Sequence, residues 1–220
     1  MKIAEILQAI SVILACWAAI AAIDAWKREF IGKRKIELAE SVLAKFYEIR
    51  DAISLIRNPF SYAGEGSSRP KGEYESKEDA GLFDRIYIVH ERFEKKRDAF
   101  NEFHLLKYKF LTSFGKETES IFVDVNRVVN EIFASAHILG TYYWKRQGRV
   151  EMTKEEFAKH LEEMRKHEAI YWEMQDDKDE IKKRLAEILS RIESVVKPCF
   201  EPPLTLYSFI TRKIQFWKRG

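Results

Sequence analysis

The chain has 220 residues, of which 46% are hydrophobic and 33% are charged, a mixture that excludes a disordered chain and suits one domain with or without an appendage. Its 38 lysines and arginines are nearly matched by 35 acidic residues, so a dedicated nucleic-acid-binding protein is excluded and no nucleic-acid partner is expected. Nine glycines, five prolines and two cysteines also argue against a turn-rich β-sandwich and a disulfide framework.

An uncharged stretch lies near the start of the chain, between Glu5 and Asp24, and only Gln8 and Ser11 within it are polar. A helix of this length spans about 27 Å, and the hydrocarbon core of a bilayer has about that thickness. We therefore predict a transmembrane anchor over residues 1–26. A cleaved signal peptide or a buried core helix is the alternative.

Basic residues are distributed unevenly on the two sides of this stretch. Lys2 stands alone before it, whereas Trp26 and five basic residues follow it. Because lysine and arginine accumulate on the cytoplasmic side of a membrane span, residues 27–220 are predicted in the cytoplasm, the N-terminus outside, and the span in the cytoplasmic (inner) membrane. The basic residues expected at the anionic bilayer surface are Lys27, Arg28, Lys33, Arg34 and Lys35.

One face of the predicted anchor carries small or weakly polar side chains, while bulky isoleucines cover the other. Small residues at four-residue spacing let helix backbones approach closely, so this face predicts self-association or contact with another protein. A pore lined by Gln8 and Ser11 is an alternative. The members of this small-residue face are Gln8, Ser11, Ala15, Ala18, Ala19 and Ala22.

The C-terminal tail, residues 198–220, mixes basic and aromatic side chains, and no acid occurs in its residues 204–220. This composition is typical of a segment that lies on an anionic leaflet. The alternative is a tail that packs on the helical domain. The tail residues assigned to the membrane surface are Arg212, Lys213, Trp217, Lys218 and Arg219.

Between these segments, long stretches without glycine or proline carry apolar residues at helical spacing, which predicts helices. The first helix covers residues 27–57, stops before Asn58-Pro59 and can be continuous with the anchor. Residues 82–197 form the helical bundle. The predicted fold class is all-α, with one transmembrane helix followed by a cytoplasmic antiparallel bundle of four to five long helices.

Several signals mark the ends of the bundle helices. The second helix is predicted from Leu82 to Gly115, and the third ends near Gly148. The signals for the last two helices are the capping box Thr153-x-x-Glu156, a cap at Asp176-Asp177, and Pro198 as the final stop. Whether these last two helices form one broken rod or a hairpin is left open.

A long polar loop, residues 58–81, separates the first two predicted helices. Glycines, hydroxyls and an arginine can together hold a phosphate, a carboxylate or a protein partner. A mobile surface loop without a ligand is the alternative. The candidate residues are Gly64, Gly66, Ser67, Ser68 and Arg69.

A stripe of imidazoles and carboxylates lies on one edge of the fourth predicted helix, at Glu156, His160, Glu163 and His167. This spacing places the four side chains near one another, and they are of the types that ligate zinc or iron. Such pairs are also common on a solvated helix edge, and no second copy of the pattern occurs. No cofactor is therefore expected.

No catalytic arrangement emerges from these patterns. The leading hypothesis is a membrane-anchored, homo-oligomeric helical protein without catalytic activity that acts as a tether, sensor or effector. Its partners would be an anionic bilayer, further copies of the chain and an unidentified protein. The alternatives are a pore-forming membrane effector of a stress or anti-phage type, and a metal-dependent helical-bundle enzyme.

Overall fold

The structure, a computed structural model, describes residues 2–174 and 178–201. Contacts divide the chain into two compact units, one of residues 1–40 and 196–220 and the other of residues 41–195. The described residues form helices, turns and loops without a strand. The all-α prediction is confirmed, and the antiparallel order of the bundle stays a prediction.

The α-helices begin and end as follows: α1 Lys2–Ile56, α2 Lys77–Glu94, α3 Arg97–Phe114, α4 Glu119–Ile138, α5 Trp144–Arg146, α6 Lys154–Tyr171 and α7 Glu180–Phe200. A 3-10 turn, Lys116–Thr118, precedes α4, and a π-helix, Leu139–Tyr143, follows it. The predicted anchor and the predicted first helix therefore belong to one continuous helix, α1.

The first unit contains the apolar part of α1. Every side chain from Ile3 to Ile31 is exposed. An 18-residue window within α1 has a mean hydropathy of 2.4, and none of that window is buried. This helix is long and apolar enough to cross a membrane, as the sequence predicted.

The second unit has its own apolar core. Residues 41–56 of α1 contribute a stripe at spacings of four and three residues, and each of these side chains is at most 2% exposed: Val42, Phe46, Ile49, Ile53 and Ile56. Helix α7 repeats the pattern with Ile181, Leu185, Ile188 and Ile192. Helix α4 packs against α2, α3 and α6, so it occupies a central place in the bundle.

The prediction of one helix from Leu82 to Gly115 was wrong in two respects. The helix begins earlier, at Lys77, where Ser76 accepts a hydrogen bond from the amide of Asp79. It is also interrupted between Glu94 and Arg97. The interruption brings the rings of Phe93 and Phe100 to 4.8 Å, although seven residues of unbroken helix would separate them by about 10 Å along the axis.

The third predicted helix changes its winding after Ile138. The π-helix Leu139–Tyr143 follows, and a Cβ added to Gly140 would lie 2.6 Å from a side-chain atom of Ile86. Glycine therefore permits the close approach of α2 at this point. The predicted end near Gly148 is consistent with its positive φ of 73°.

The capping box of Thr153 and Glu156 is present at the start of α6 and confirms that prediction. Pro198 does not end α7, which continues to Phe200. The prediction was wrong because the fixed φ of proline is compatible with a helix. Proline lacks one amide donor, but near the end of a helix the loss of a single hydrogen bond is tolerated. The predicted Asp176-Asp177 cap lies outside the described residues, whereas Asp179 accepts a hydrogen bond from the amide of Lys182.

Candidate functional site

The small-residue face predicted for self-association is exposed along its whole length. Within it, the hydroxyl of Ser11 donates a 2.8 Å hydrogen bond to the carbonyl oxygen of Leu7. Such a bond satisfies the hydroxyl inside the helix itself, which suits a lipid surrounding. The alanines of the face, Ala15, Ala18, Ala19 and Ala22, present only methyl groups, and Gln8 adds a longer polar side chain near its start.

Aromatic and basic side chains stack at the end of the apolar stretch. The rings of Trp26 and Phe30 are stacked at 5.7 Å, and the Arg34 guanidinium lies over the Phe30 ring at 5.3 Å. We call Trp26, Phe30 and Arg34 the interfacial stack. Tryptophan and arginine side chains of this kind prefer the headgroup level of a bilayer.

Sequence reasoning did not assign Phe30 to this cluster, although its four-residue spacing from Trp26 and Arg34 was a usable signal. Among the other predicted surface residues, Lys27, Arg28 and Lys33 are exposed and Lys35 is half-buried. The tail residues Arg212, Lys213, Trp217, Lys218 and Arg219 lie outside the described residues.

The polar loop before α2 grips carboxylates of its own chain. The amide of Gly66 and the hydroxyl of Ser68 both donate to the carboxylate of Glu91, at 2.9 and 2.8 Å. Arg69 pairs with Glu75 and Asp84. The donors of this loop are therefore engaged with carboxylates of the chain itself, and the binding of a ligand or partner by the loop stays a prediction.

Electrostatics support this arrangement. Hydrogen bonds from Lys95, Ser68 and the Gly66 amide lower the pKa of Glu91, so the carboxylate stays ionised and accepts strongly. The Arg69 guanidinium likewise lowers the pKa of Glu75.

Two glycines shape the loop, Gly64 with a φ of 83° and Gly66 with a φ of 87°. A Cβ on Gly66 would lie 1.9 Å from the carbonyl oxygen of Asp84, whereas the nearest atom to one on Gly64 is the Ser67 hydroxyl at 3.9 Å. The Ser67 hydroxyl itself donates to the carbonyl oxygen of Gly64.

Two buried arginines that the sequence did not reveal hold the junctions of the second unit. Arg92 of α2 donates to the carbonyl oxygens of Asn58 and Phe60, both at 2.6 Å, and pairs with Glu65 at 2.7 Å. It thereby fixes the end of α1 and the loop on α2. Its guanidinium lowers the pKa of Glu65.

Arg57, the residue after α1, connects the C-terminal end of α6 with the N-terminal end of α7 in the same way. Its guanidinium donates to the carbonyl oxygens of Ala169 and Ile170 in α6, each at 2.8 Å, and pairs with Asp179 at 3.0 Å. Asp179 in turn accepts from the amide of Lys182 in α7. One side chain thus joins α1 to the end of α6 and the start of α7.

Three of the four candidate metal ligands are engaged with other groups. Glu156 accepts from the amide of Thr153 in the capping box, Glu163 pairs with Lys166 at 2.8 Å, and His167 bonds to Ser135. Across residues 2–174 and 178–201, no group of three or more histidine, cysteine, aspartate or glutamate side chains is arranged to hold a metal ion. The geometry therefore does not favour a metal centre on this stripe.

Three residues of the stripe instead line a cleft that the π-helix helps to build. The cleft has a volume of about 320 Å³. We call it the His160 cleft, and its principal lining residues are Tyr142, Tyr143, Arg146, Glu156, His160 and Glu163. The ring of Tyr143 lies 5.2 Å from that of His160, and burial raises the pKa of the Tyr143 hydroxyl.

The basic residues after the π-helix are engaged with acidic partners or aromatic rings. Lys145 and Arg149 both pair with Asp79 at the start of α2, at 3.2 and 3.0 Å. The Arg146 guanidinium lies over the ring of Tyr142 at 4.8 Å. These contacts attach the segment after the π-helix to α2.

Comparison with known proteins gives no match, neither to a family model nor to a curated protein or a solved structure. The class of this protein is therefore defined by its helical fold and its exposed apolar helix. The chain is an all-helical protein with one N-terminal helix that is long and apolar enough to span a membrane.

Proposed function

We propose that the chain is a single-pass protein of the cytoplasmic membrane, with its N-terminus outside and its helical bundle held at the inner leaflet. The observation that carries this proposal is the complete exposure of residues 3–31 in a helix whose apolar window has a mean hydropathy of 2.4. Exposed apolar surface of this extent is unfavourable in water, and a bilayer removes that cost.

The flanks of the span support this orientation. Basic residues follow the apolar stretch, and the interfacial stack of Trp26, Phe30 and Arg34 lies on the same side. Arginine favours the cytoplasmic side and aromatic rings favour the headgroup level. Both preferences are met when the residues after the span face the anionic inner leaflet.

Alkaline extraction of membranes from cells that express the full chain tests the anchor. We expect the protein to stay in the pellet, at the mass of the uncleaved chain. Release into the soluble fraction, or a product shortened by about twenty residues, would contradict the proposal. The second result would identify a cleaved signal peptide. A reporter that fluoresces only in the cytoplasm, fused after Gly220, tests the orientation.

Self-association through the small-residue face is the second part of the proposal. No second span is found among the described residues, so the partner of this face is another copy of the chain or another membrane protein. Alanines and serine at helix spacing allow the close backbone contact on which membrane helix pairs depend. The internally bonded hydroxyl of Ser11 supports dry packing over a water-lined pore.

The test replaces small residues by leucine on two different faces of the same helix. Ala15→Leu with Ala19→Leu fills the proposed contact, and we expect the detergent-solubilised multimer to shift toward monomer. Ala9→Leu with Ala21→Leu makes the same chemical change elsewhere on the circumference and serves as the matched control. Equal behaviour of the two double variants would refute the contact.

We further propose that the bundle acts without catalysis, as a tether, sensor or effector. Its buried arginines are engaged in structural contacts, Arg57 with Asp179 and Arg92 with Glu65. These contacts bind helices to one another and support a rigid platform. Crosslinking in intact cells, followed by mass spectrometry, would identify what the platform holds at the membrane.

A further inference from the structure

Two residues that line the His160 cleft each carry a buried polar atom without a hydrogen-bond partner among the described residues. These atoms are Nε2 of His160 and Nε of Arg146, and the His160 side chain belongs to a residue that is only 8% exposed. Native proteins pair nearly all buried polar groups, because an unmade hydrogen bond costs free energy. The Nε of arginine only donates, so its missing partner is an acceptor such as an oxygen.

The charges around the cleft restrict which ligand can supply this acceptor oxygen. Glu151, Glu156 and Glu163 line it, against the cations Arg146 and Lys159. Glu163 also pairs with Lys166, which lies outside the lining, so the carboxylates and the cations at the cleft are balanced and a simple anion would upset this balance. A ligand that carries both charges can meet the unpaired donors and leave the balance unchanged.

The walls of the cleft have the form of a small-molecule site. Tyr142 and Tyr143 come from the π-helix Leu139–Tyr143, and π-helical segments occur frequently at functional sites. Tyrosine rings attract cations over their faces. The volume of about 320 Å³ is at the lower end of the range for small-molecule sites.

We propose that the His160 cleft binds a small zwitterion, an α-amino acid or a comparable amine carboxylate. Its carboxylate accepts from Nε of Arg146 and from Nε2 of His160 in the tautomer that carries the proton on that nitrogen, and its ammonium group lies against the carboxylates of the cleft and the tyrosine rings. This site would give the bundle a sensing role. It is independent of membrane insertion, since every residue that forms it belongs to the unit of residues 41–195.

The first experiment uses the full chain in detergent micelles and measures binding by calorimetry and by the shift in melting temperature. The probes are glycine, glutamate, lysine and phenylalanine, with acetate and methylammonium chloride as single-charge controls. We expect at least one amino acid to bind and to raise the melting temperature, while neither control does so. An equal effect of acetate alone, or no effect of any probe, would overturn the proposal.

The second experiment locates the site with a matched pair of variants. Glu162 and Glu163 both pair with Lys166, at 3.3 and 2.8 Å, but only Glu163 lines the cleft. Glu163→Gln is expected to weaken amino-acid binding, and Glu162→Gln is expected to leave it unchanged. Equal affinities of these two variants would overturn the assignment.

Loss of the unpaired donors should have a larger effect on binding. Arg146→Met and His160→Phe are each expected to lower the affinity about tenfold, the usual effect of removing a charged hydrogen bond. Phenylalanine keeps an aromatic ring at position 160 without its nitrogens, and melting curves without ligand verify that the variants fold. Arg146 is only half-buried, so Arg146→Met should fold even if His160→Phe does not. Its affinity for amino acids then tests the site. Wild-type affinity in Arg146→Met would refute the proposal.

Discussion

Helix α1 contains two regions that are both α-helical but differ in what surrounds their apolar side chains. From Ile3 to Ile31 every side chain is exposed, and bulky apolar residues occur on several sides of the helix. In residues 42–56 most of the large apolar residues form one buried stripe, while Arg50 and Asp51, with Tyr47 and Leu55, are exposed. The angular distribution of apolar side chains, and not helix formation itself, therefore separates a lipid-facing segment from a core helix.

The largest effect is expected when charge is placed in the exposed region, since this tests directly whether residues 3–31 lie in lipid. Val12→Arg with Ile13→Arg should prevent stable insertion, because each arginine at the centre of a span costs about 3 kcal/mol. We expect most of this variant to leave the membrane pellet during alkaline extraction.

A matched control makes the same substitutions on exposed apolar residues of the bundle. Val123 is 41% and Leu105 is 71% exposed, so Leu105→Arg with Val123→Arg should leave the protein in the pellet. If both double variants remained in the pellet at the wild-type level, residues 3–31 would not be the part that holds the protein in lipid.

The packed region is tested by the buried ion pair that joins it to α6 and α7. Arg57→Met leaves Asp179 buried without its cation and should lower the free energy of unfolding by about 4 kcal/mol. Arg50→Met removes an exposed partner of Asp51 and should cost less than about 1 kcal/mol. Urea unfolding of the full chain in micelles, followed by circular dichroism, measures both changes.

The same pair predicts a pH dependence. Burial raises the pKa of Asp179, but the hydrogen bond from Arg57, the amides of Met174 and Lys182 and the Arg57 charge lower it more, so the net shift is downward. The stabilisation is therefore present above the unfolded pKa, about 3.9, and is lost as the pH falls through the lower folded value. The difference between wild type and Arg57→Met should narrow from pH 7 toward acid, and a difference that widens would contradict this sign.

The smallest expected effects come from substitution of two glycines in the loop that follows α1. Gly66→Ala combines a positive φ with a contact of 1.9 Å to Asp84, and should cost about 3 kcal/mol through strain and crowding. Gly64→Ala has the same backbone strain without the contact and should cost about 1 kcal/mol. Thermal melts of the two variants measure the difference, and equal melting temperatures would show that the loop does not pack on α2.

The candidate site was predictable only in part. Helical spacing placed Glu156, His160 and Glu163 on one helix edge, and the structure has all three lining one cleft. The residues that complete it, Tyr142 of the π-helix and Arg146 of α5, come from a separate segment, and its π-helical winding has no sequence pattern of its own. The ligand proposed for this cleft therefore rests on neighbours that the spacing of the stripe alone does not reveal.

The loop shows the same division. Its glycines, hydroxyls and arginine predicted a loop that holds a phosphate, a carboxylate or a protein partner, and in the structure Gly66, Ser68 and Arg69 contact carboxylates. That these belong to Glu75, Asp84 and Glu91 of the same chain depends on how the loop folds back on α2. Likewise nothing in the sequence distinguished Arg57 and Arg92 from the many arginines that remain at the surface.

The sequence by itself determined the features that depend on neighbours along the chain. These are the apolar segment, the periodic stripes of α1 and α7, and the capping box at Thr153, because helical spacing and local hydrogen bonds involve only nearby residues. Only the tertiary structure decided which charges are buried, where α2 and α3 separate, and which groups meet in the His160 cleft. These outcomes depend on contacts between residues far apart in sequence, and local patterns carry little information about such contacts.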